Sequence, residues 1–229
     1  MTAFGRKPPQ QLPLEFHHEA ALGADDLVVA EPLSAAAAIV ERWPEWPAPV
    51  VVLVGPEGSG KSHLASIWQT TSSARVIAPV AGSDAVLVAA EGPVLFEDAD
   101  RRPFDETMLF HVINAVRSNG TSLLITARTK PFAWNISLPD LVSRLKAATV
   151  VEIGPPNEVM LTQVLYKLFA DRQLMIDDKL AAYIVSRMER SMSAAERIVE
   201  RLDKLALARG TRITRALAAE VLNDRTGED

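Results

Sequence analysis

Val50-Val51-Val52-Leu53-Val54-Gly55-Pro56-Glu57-Gly58-Ser59-Gly60-Lys61-Ser62 is the stretch that decides the fold. Its first five residues are a continuous apolar, mostly β-branched run bounded by glycine, the pattern of a strand buried on both faces of a parallel sheet. The eight that follow match G-x-x-x-x-G-K-[ST] in full and open a helical stretch from Lys61 to about Thr70. Glycines let backbone N–H groups converge on phosphate oxygens, and a helix N-terminus adds positive partial charge. Gly55, Pro56, Glu57, Gly58, Ser59 and Gly60 therefore form a phosphate cradle. Lys61 is placed to reach the β- and γ-phosphates, and Ser62 to ligand Mg²⁺.

Outward from this loop, strand and helix patterns alternate. Leu33–Trp43 reads as a helix with Ser34 as N-cap, stopped by Pro44. Arg75–Pro79 and Ala85–Ala90 read as short strands, Val94–Phe96 as a buried one, and Asp105–Ser118 as a helix. Ser122–Thr126 and Val150–Ile153 complete the strand set. Alternation of this kind predicts an α/β parallel sheet. After Gly154-Pro155-Pro156 the strand patterns stop. Glu158–Arg172, Asp177–Arg190, Ser193–Ala208 and Arg215–Leu222 carry helical periodicity. The expected organisation is a tail over 1–26, an α/β core over 27–154 and a helical subdomain over 155–229.

The 229 residues suffice for a full hydrophobic core, and 48% hydrophobic with 23% charged residues is ordinary for a globular chain. A net charge of −5 argues against a broad positive field for nucleic acid. The absence of cysteine excludes disulfides and thiolate-bound zinc, and fits a reducing cytoplasm. Residues 1–9 lack the apolar region of a secretory signal, and the longest apolar runs are far too short to cross a bilayer. His17-His18, His63 and His111 show no metal-ligand spacing. Trp43, Trp46, Trp68 and Trp134 read as core or hinge packing rather than a base-stacking platform. There are no repeats or low-complexity segments.

A P-loop requires an acidic strand end nearby, and Val94-Leu95-Phe96-Glu97-Asp98 supplies one. One carboxylate can hold Mg²⁺ through water and the other can polarise an attacking water. Glu97 stands in the first slot, where Asp is usual; Ser62 and Glu97 are the candidate Mg²⁺ ligands.

The combination GPEGSGKSHL (55–64), LFEDAD (95–100), LLITART (123–129) and LVSRL (141–145), followed by a helical lid, resembles the AAA+ module of the DnaA initiators over roughly Leu27 to Leu222. The resemblance implies a P-loop AAA+ parallel-sheet core with a C-terminal helical lid, binding ATP or ADP with Mg²⁺. It implies that His63 belongs to the nucleotide loop and that Leu27-Val28-Val29 packs on the base. Ala30 and Leu33 stand where the family has glycine and asparagine. Thr126 matches a sensor of the γ-phosphate; a strand-end hydroxyl capping the next turn is the other reading. Arg144 matches an arginine finger acting on nucleotide held by a neighbouring subunit; a surface ion pair is the other reading. Ser193 occupies the slot of the lid's sensor arginine, with Arg190 one turn earlier and Arg197 one turn later as substitutes.

A DnaA initiator continues past the lid into a basic helix-turn-helix domain, whereas this sequence stops at Asp229. No direct sequence-specific DNA binding is expected. The first stretch contains Gln11-Leu12-Pro13-Leu14-Glu15-Phe16. This is similar to the Q-L-x-L-x-F/L peptides that dock on the bacterial sliding clamp, the β subunit of DNA polymerase III. Leu12, Leu14 and Phe16 would be apolar anchors, and Gln11 would hydrogen-bond the pocket edge; a tether of the tail to the core is the other reading of the three apolar residues. Together these features imply an adaptor that meets the clamp and the DnaA initiator and promotes ATP hydrolysis on the initiator, with a homodimer among its states. A DnaA-related recruiting factor without a clamp role and a stand-alone NTPase or kinase are the rival expectations.

Overall fold

The computed structural model describes residues 31–223. The peptide Gln11, Leu12, Leu14 and Phe16, the tail over 1–26, His17-His18 and Leu27 to Ala30 lie outside the described residues. Five parallel strands form one sheet in the order β2-β3-β4-β1-β5. They are β1 (Val50–Val54), β2 (Arg75–Val76), β3 (Val94–Phe96), β4 (Leu123–Ala127) and β5 (Thr149–Glu152).

Helices cover both sheet faces, and the two-residue period of each strand divides its side chains between them. Val51, Leu53, Leu95 and Leu124 pack against α1 (Glu31–Glu41) and α2 (Lys61–Ser72). Val50, Val52, Val54, Phe96 and Ile125 pack against α3 (Ala85–Glu91), α4 (Glu106–Asn119) and α5 (Pro139–Lys146). β1 is buried along its whole length. Each such Val or Leu contributes about 1.5–3 kcal/mol. The fold is thus the α/β parallel-sheet architecture that the alternating pattern predicts.

Beyond β5 the described chain is helical: α6 (Glu158–Asp171), α7 (Asp178–Val185), α8 (Met192–Arg209) and α9 (Arg215–Asn223). These four helices enclose their own core of Leu161, Leu165, Phe169, Ile184, Val199 and Leu202, among others. Side-chain caps set their starts: Asn157, Asp177 and Ser191 accept from the N–H groups of Met160, Leu180 and Ala194. Met160 and Met192 join the helical part to the core on the face of α1 and α2.

Several local expectations need correction. Ala85–Ala90 is not a strand but most of α3. Ala85 and Ala89, one helical turn apart, are its buried residues, and their small size lets α3 lie close on α4. A short apolar run carries too few residues to tell the two periods apart. Ser34 is not an N-cap, because α1 already runs from Glu31. The strand at Arg75–Pro79 keeps only Arg75–Val76. The helix expected over Asp177–Arg190 ends at Val185. α5 carries the LVSRL motif on a helix that the strand-and-helix reading had left out; Pro139 at its first position starts it.

Three of the tryptophans form one cluster. Trp68 is 0% exposed, stacks on Trp46 at 5.1 Å between centroids and meets Trp43 edge-on at 6.4 Å. Trp68→Ala is expected to lower stability by about 3–5 kcal/mol through the cavity it leaves. A urea titration followed by circular dichroism checks this; a loss under about 1 kcal/mol would mean that the cluster collapses without cost.

Candidate nucleotide site

The phosphate loop leaves β1 between two neighbours and is tied to both. Gly55 N–H donates to the Ala127 carbonyl at the end of β4, at 3.2 Å. A Cβ on Gly55 would lie 2.6 Å from the Ile153 carbonyl oxygen just past β5, so this position admits no side chain. Gly58 and Gly60 have φ of 68° and 96°, the left-handed region that glycine tolerates. Gly60 is the N-cap of α2 and gives it no side-chain cap. The first amides of α2 are thus left for an outside acceptor, as phosphate binding requires.

Lys61 is 6% exposed, and its ammonium donates to the carbonyls of Gly55 and Pro56, both at 2.7 Å. Burial is the largest influence on it and lowers its pKa; Asp98 opposes this, Arg128 adds to it, and Asp100 and Glu57 oppose it. Ser62 is exposed on the first turn of α2, and His63 is half-buried beside it. Ser59 is buried, and its hydroxyl has no hydrogen-bond partner among the described residues.

The acidic strand end is held by β4. Thr126 is 1% exposed; its hydroxyl accepts from Asp98 N–H at 3.0 Å, and its carbonyl accepts from Ala99 N–H at 2.9 Å. Asp98 has φ of 52°, so this turn is conformationally demanding for a non-glycine residue. Thr126 therefore caps the turn after β3, while its hydroxyl proton remains available to a further acceptor. Of the two carboxylates, Asp98 is the one whose charge acts on Lys61. Glu97 has its pKa raised by burial first and then by Asp98, with Arg102 opposing. It lines a cavity of about 230 Å³ with Ile77, Phe96, Arg102 and Pro103.

Two residues that motif reading passed over complete the arrangement. Asp100 accepts from the N–H groups of Arg128 and Thr129 and from the Thr129 hydroxyl, at 2.7–3.0 Å. Burial raises its pKa, but these hydrogen bonds outweigh that and leave it lowered. Arg128 forms an ion pair with Glu57 of the phosphate loop. Asp100 lay within the quoted LFEDAD, yet its partners are mainly backbone amides, which no side-chain pattern reveals.

The helical part sits directly on the loop. Met192 N–H donates to the Gly58 carbonyl at 2.9 Å, and a Cβ on Gly58 would lie 2.4 Å from Ser191 Cβ. A Cβ on Gly60 would meet Met192 Sδ at 3.2 Å and Leu33 Cδ2 at 3.3 Å. Ser193 pairs with the Ser191 hydroxyl, Arg190 forms an ion pair with Glu158 at 2.8 Å, and Arg197 one with Glu189 at 3.6 Å. Arg144 lies in the last turn of α5, its guanidinium carbon 5.9 Å from the centroid of the Phe110 ring on α4. The arginine whose charge acts on Lys61 is Arg128.

The residues present fit a nucleotide phosphate group: close-approach glycines, uncapped helix amides and a buried lysine meet at one point. Among the described residues, no three His, Asp or Glu side chains gather as a metal cage. Ser62 and an acidic strand end suit Mg²⁺ only with phosphate and water supplying the remaining ligands.

Fold and site together define a P-loop α/β architecture with a helical lid. More narrowly, the fold is the AAA+ fold of DnaA domain III. Domain III of the replication initiation protein DnaA of Thermotoga maritima superposes with a TM-score of 0.75 at 17% identity, over 95% of this chain and 100% of that domain. AMPPCP-bound DnaA of Aquifex aeolicus gives 0.70 at 17% identity, over 88% of this chain and 70% of that one. The RuvB Holliday junction branch migration motor of Thermotoga maritima gives 0.65 at 18% identity, over 84% and 66%. An uncharacterized protein of Haemophilus influenzae is 25% identical over 234 residues, 93% of this chain and 99% of its own length. No family model matches the chain. Among the described residues, no helix is long and apolar enough to cross a membrane.

Asp100 gives the site a pH signature. A carboxyl whose pKa is lowered on folding contributes stability above its ordinary value of 3.8, and loses it as pH falls through the folded value. The stability gap between the native protein and Asp100→Asn is expected to be about 1 kcal/mol near neutrality, allowing for the partial exposure of the group. It should stay constant at mildly acidic pH and shrink below 3.8. Urea unfolding at a series of pH values measures this; a gap that widened with acid would overturn the role given to Asp100.

Proposed function

We propose that this chain is a nucleotide-holding AAA+ adaptor of replication control resembling Hda, the protein of regulatory inactivation of DnaA. Gln11, Leu12, Leu14 and Phe16 bind the sliding clamp on DNA. The AAA+ module holds ATP or ADP with Mg²⁺ at Gly55 to His63, with Ser62 and Glu97 toward the metal, Thr126 toward the γ-phosphate and Arg197 from the lid. Arg144 reaches nucleotide held by the DnaA initiator and promotes its hydrolysis, which switches the initiator off and prevents re-initiation.

The observation that carries this reading is the division of labour between two arginines. Arg128 acts on Lys61 by its charge and is engaged with Glu57. Arg144 lies on α5, against Phe110 of the α4 layer, at the position the resemblance gives to a finger for a neighbouring subunit. A guanidinium in that role neutralises charge that builds on the transferring phosphoryl group, so the chemistry takes place on the partner's nucleotide. The likeness to a DnaA that holds AMPPCP supports nucleotide at the P-loop.

The test is ATP hydrolysis by a DnaA initiator with clamp-loaded DNA, with and without this protein. Stimulation is expected, and Arg144→Ala is expected to remove at least about 10-fold of it while leaving nucleotide binding by this chain intact. Leu14→Ala/Phe16→Ala should remove clamp binding and stimulation together. Lys61→Ala should remove nucleotide binding by this chain. Absence of stimulation by the native protein, with nucleotide binding present, would refute the adaptor reading.

A further inference from the structure

β5 closes one edge of the sheet, with β1 as its neighbour. Ile153 N–H donates to the Val54 carbonyl at 2.7 Å. The two-residue period then turns the backbone groups of Val151 toward β1 and those of Val150 and Glu152 over the open edge. Such an edge is a template for one more strand. Beside it lies a groove of about 530 Å³ lined by Phe132, Ile136, Val142 and Val150, with Lys130, Lys146 and Glu152 as its charged groups. Phe132 is 82% exposed and Val150 38%, so apolar surface lies next to edge backbone that no described residue pairs.

We propose that this edge and groove are the resting seat of the chain's own Gln11–Phe16 segment, which adds to β5 as a further strand. Sequence period, reach and charge converge on that occupant. In an extended chain Leu12, Leu14 and Phe16 share one face, which the groove accepts. Their backbone groups also share one side, so when these pair with β5, Pro13 faces away and its missing N–H costs no ladder bond. The segment re-enters the described structure beside the strand it would join: Pro32 Cβ lies 3.8 Å from where a Cβ on Gly154 would stand, just past β5. Residues 17–30 can span up to roughly 45–50 Å, far more than a short strand needs. Lys130 pairs with Glu152 of β5, which leaves Lys146 as the groove cation opposite in charge to Glu15.

The same side chains are those assigned above to the clamp. Seating them on β5 withholds them until the clamp competes for them; this consequence rests on the clamp reading, whereas the seat does not. A tethered peptide competes at high effective concentration, so a weak seat suffices.

Hydrogen exchange on the full chain tests the seat. The amides of Val150 and Glu152 should exchange about tenfold faster in Leu12→Ala/Leu14→Ala/Phe16→Ala, and equally so in Phe132→Asp, than in the native protein. Equal rates in all three would overturn the seat. The chain has no cysteine, so Glu15→Cys/Lys146→Cys can be joined with a short bismaleimide. A link within one chain supports the seat, and a link only between two chains overturns it in favour of a second copy. Clamp affinity is read separately. A several-fold gain in Phe132→Asp supports the withholding, and unchanged affinity refutes the withholding. A clamp that binds neither form refutes the clamp reading, and the exchange rates still decide the seat.

Discussion

A buried ammonium is costly unless its hydrogens find acceptors, and much of this molecule is arranged around the one at Lys61. The two carbonyls that receive it belong to Gly55 and Pro56. To turn them inward the chain must leave β1 against the end of one neighbouring strand and within touching distance of the other. Gly55 does both, through its N–H bond to Ala127 and its approach to Ile153. β1 must therefore lie between β4 and β5, as it does. The central strand, its two neighbours and the first glycine form one constraint.

The acidic side of the site follows from the same need. Lys61 needs negative charge nearby, yet carboxylates at the end of a buried strand must be held in place. Thr126 holds Asp98 by its backbone, and Asp100 holds the start of the loop after β4. The loops after β3 and β4 are thus joined by bonds that would break together, and Arg128 links them to the phosphate loop through Glu57. Asp98 and Arg128, the two charged groups that most affect Lys61, stand on these two loops.

What the amino-acid sequence revealed was what side-chain pattern controls. β1 was legible because an unbroken apolar run met a complete phosphate-loop motif, and α4 because Asp105 caps a clear helical stripe. α3 was not, because its decisive feature is the close approach of two alanines to α4, a tertiary contact. α5 was not, because in eight residues its apolar stripe reduces to Leu141 and Leu145. At the site, the phosphate loop and the acidic strand end are visible as motifs, because each is a run of side-chain types at fixed spacing. The roles of Asp100, Ser191 and Met192 are not, since each acts mainly through a backbone amide or by filling space.

Lid and phosphate loop are joined without a charged side chain at Ser193, the position that the resemblance gives to a sensor arginine. Ser193 cannot carry charge to a phosphate, and the neighbouring Arg190 and Arg197 have carboxylate partners on the lid itself. The contacts that join lid and loop are instead a backbone bond from Met192 to Gly58, the Ser191 Cβ over Gly58, and a thioether over Gly60. These are short-range and geometric. They sense where the loop backbone stands, and they fall off within an ångström or so of separation. A lid held in this way is positioned by the shape of the phosphate loop. Gly58 and Gly60 then serve two purposes at once, giving the loop its left-handed turns and giving the lid its seat.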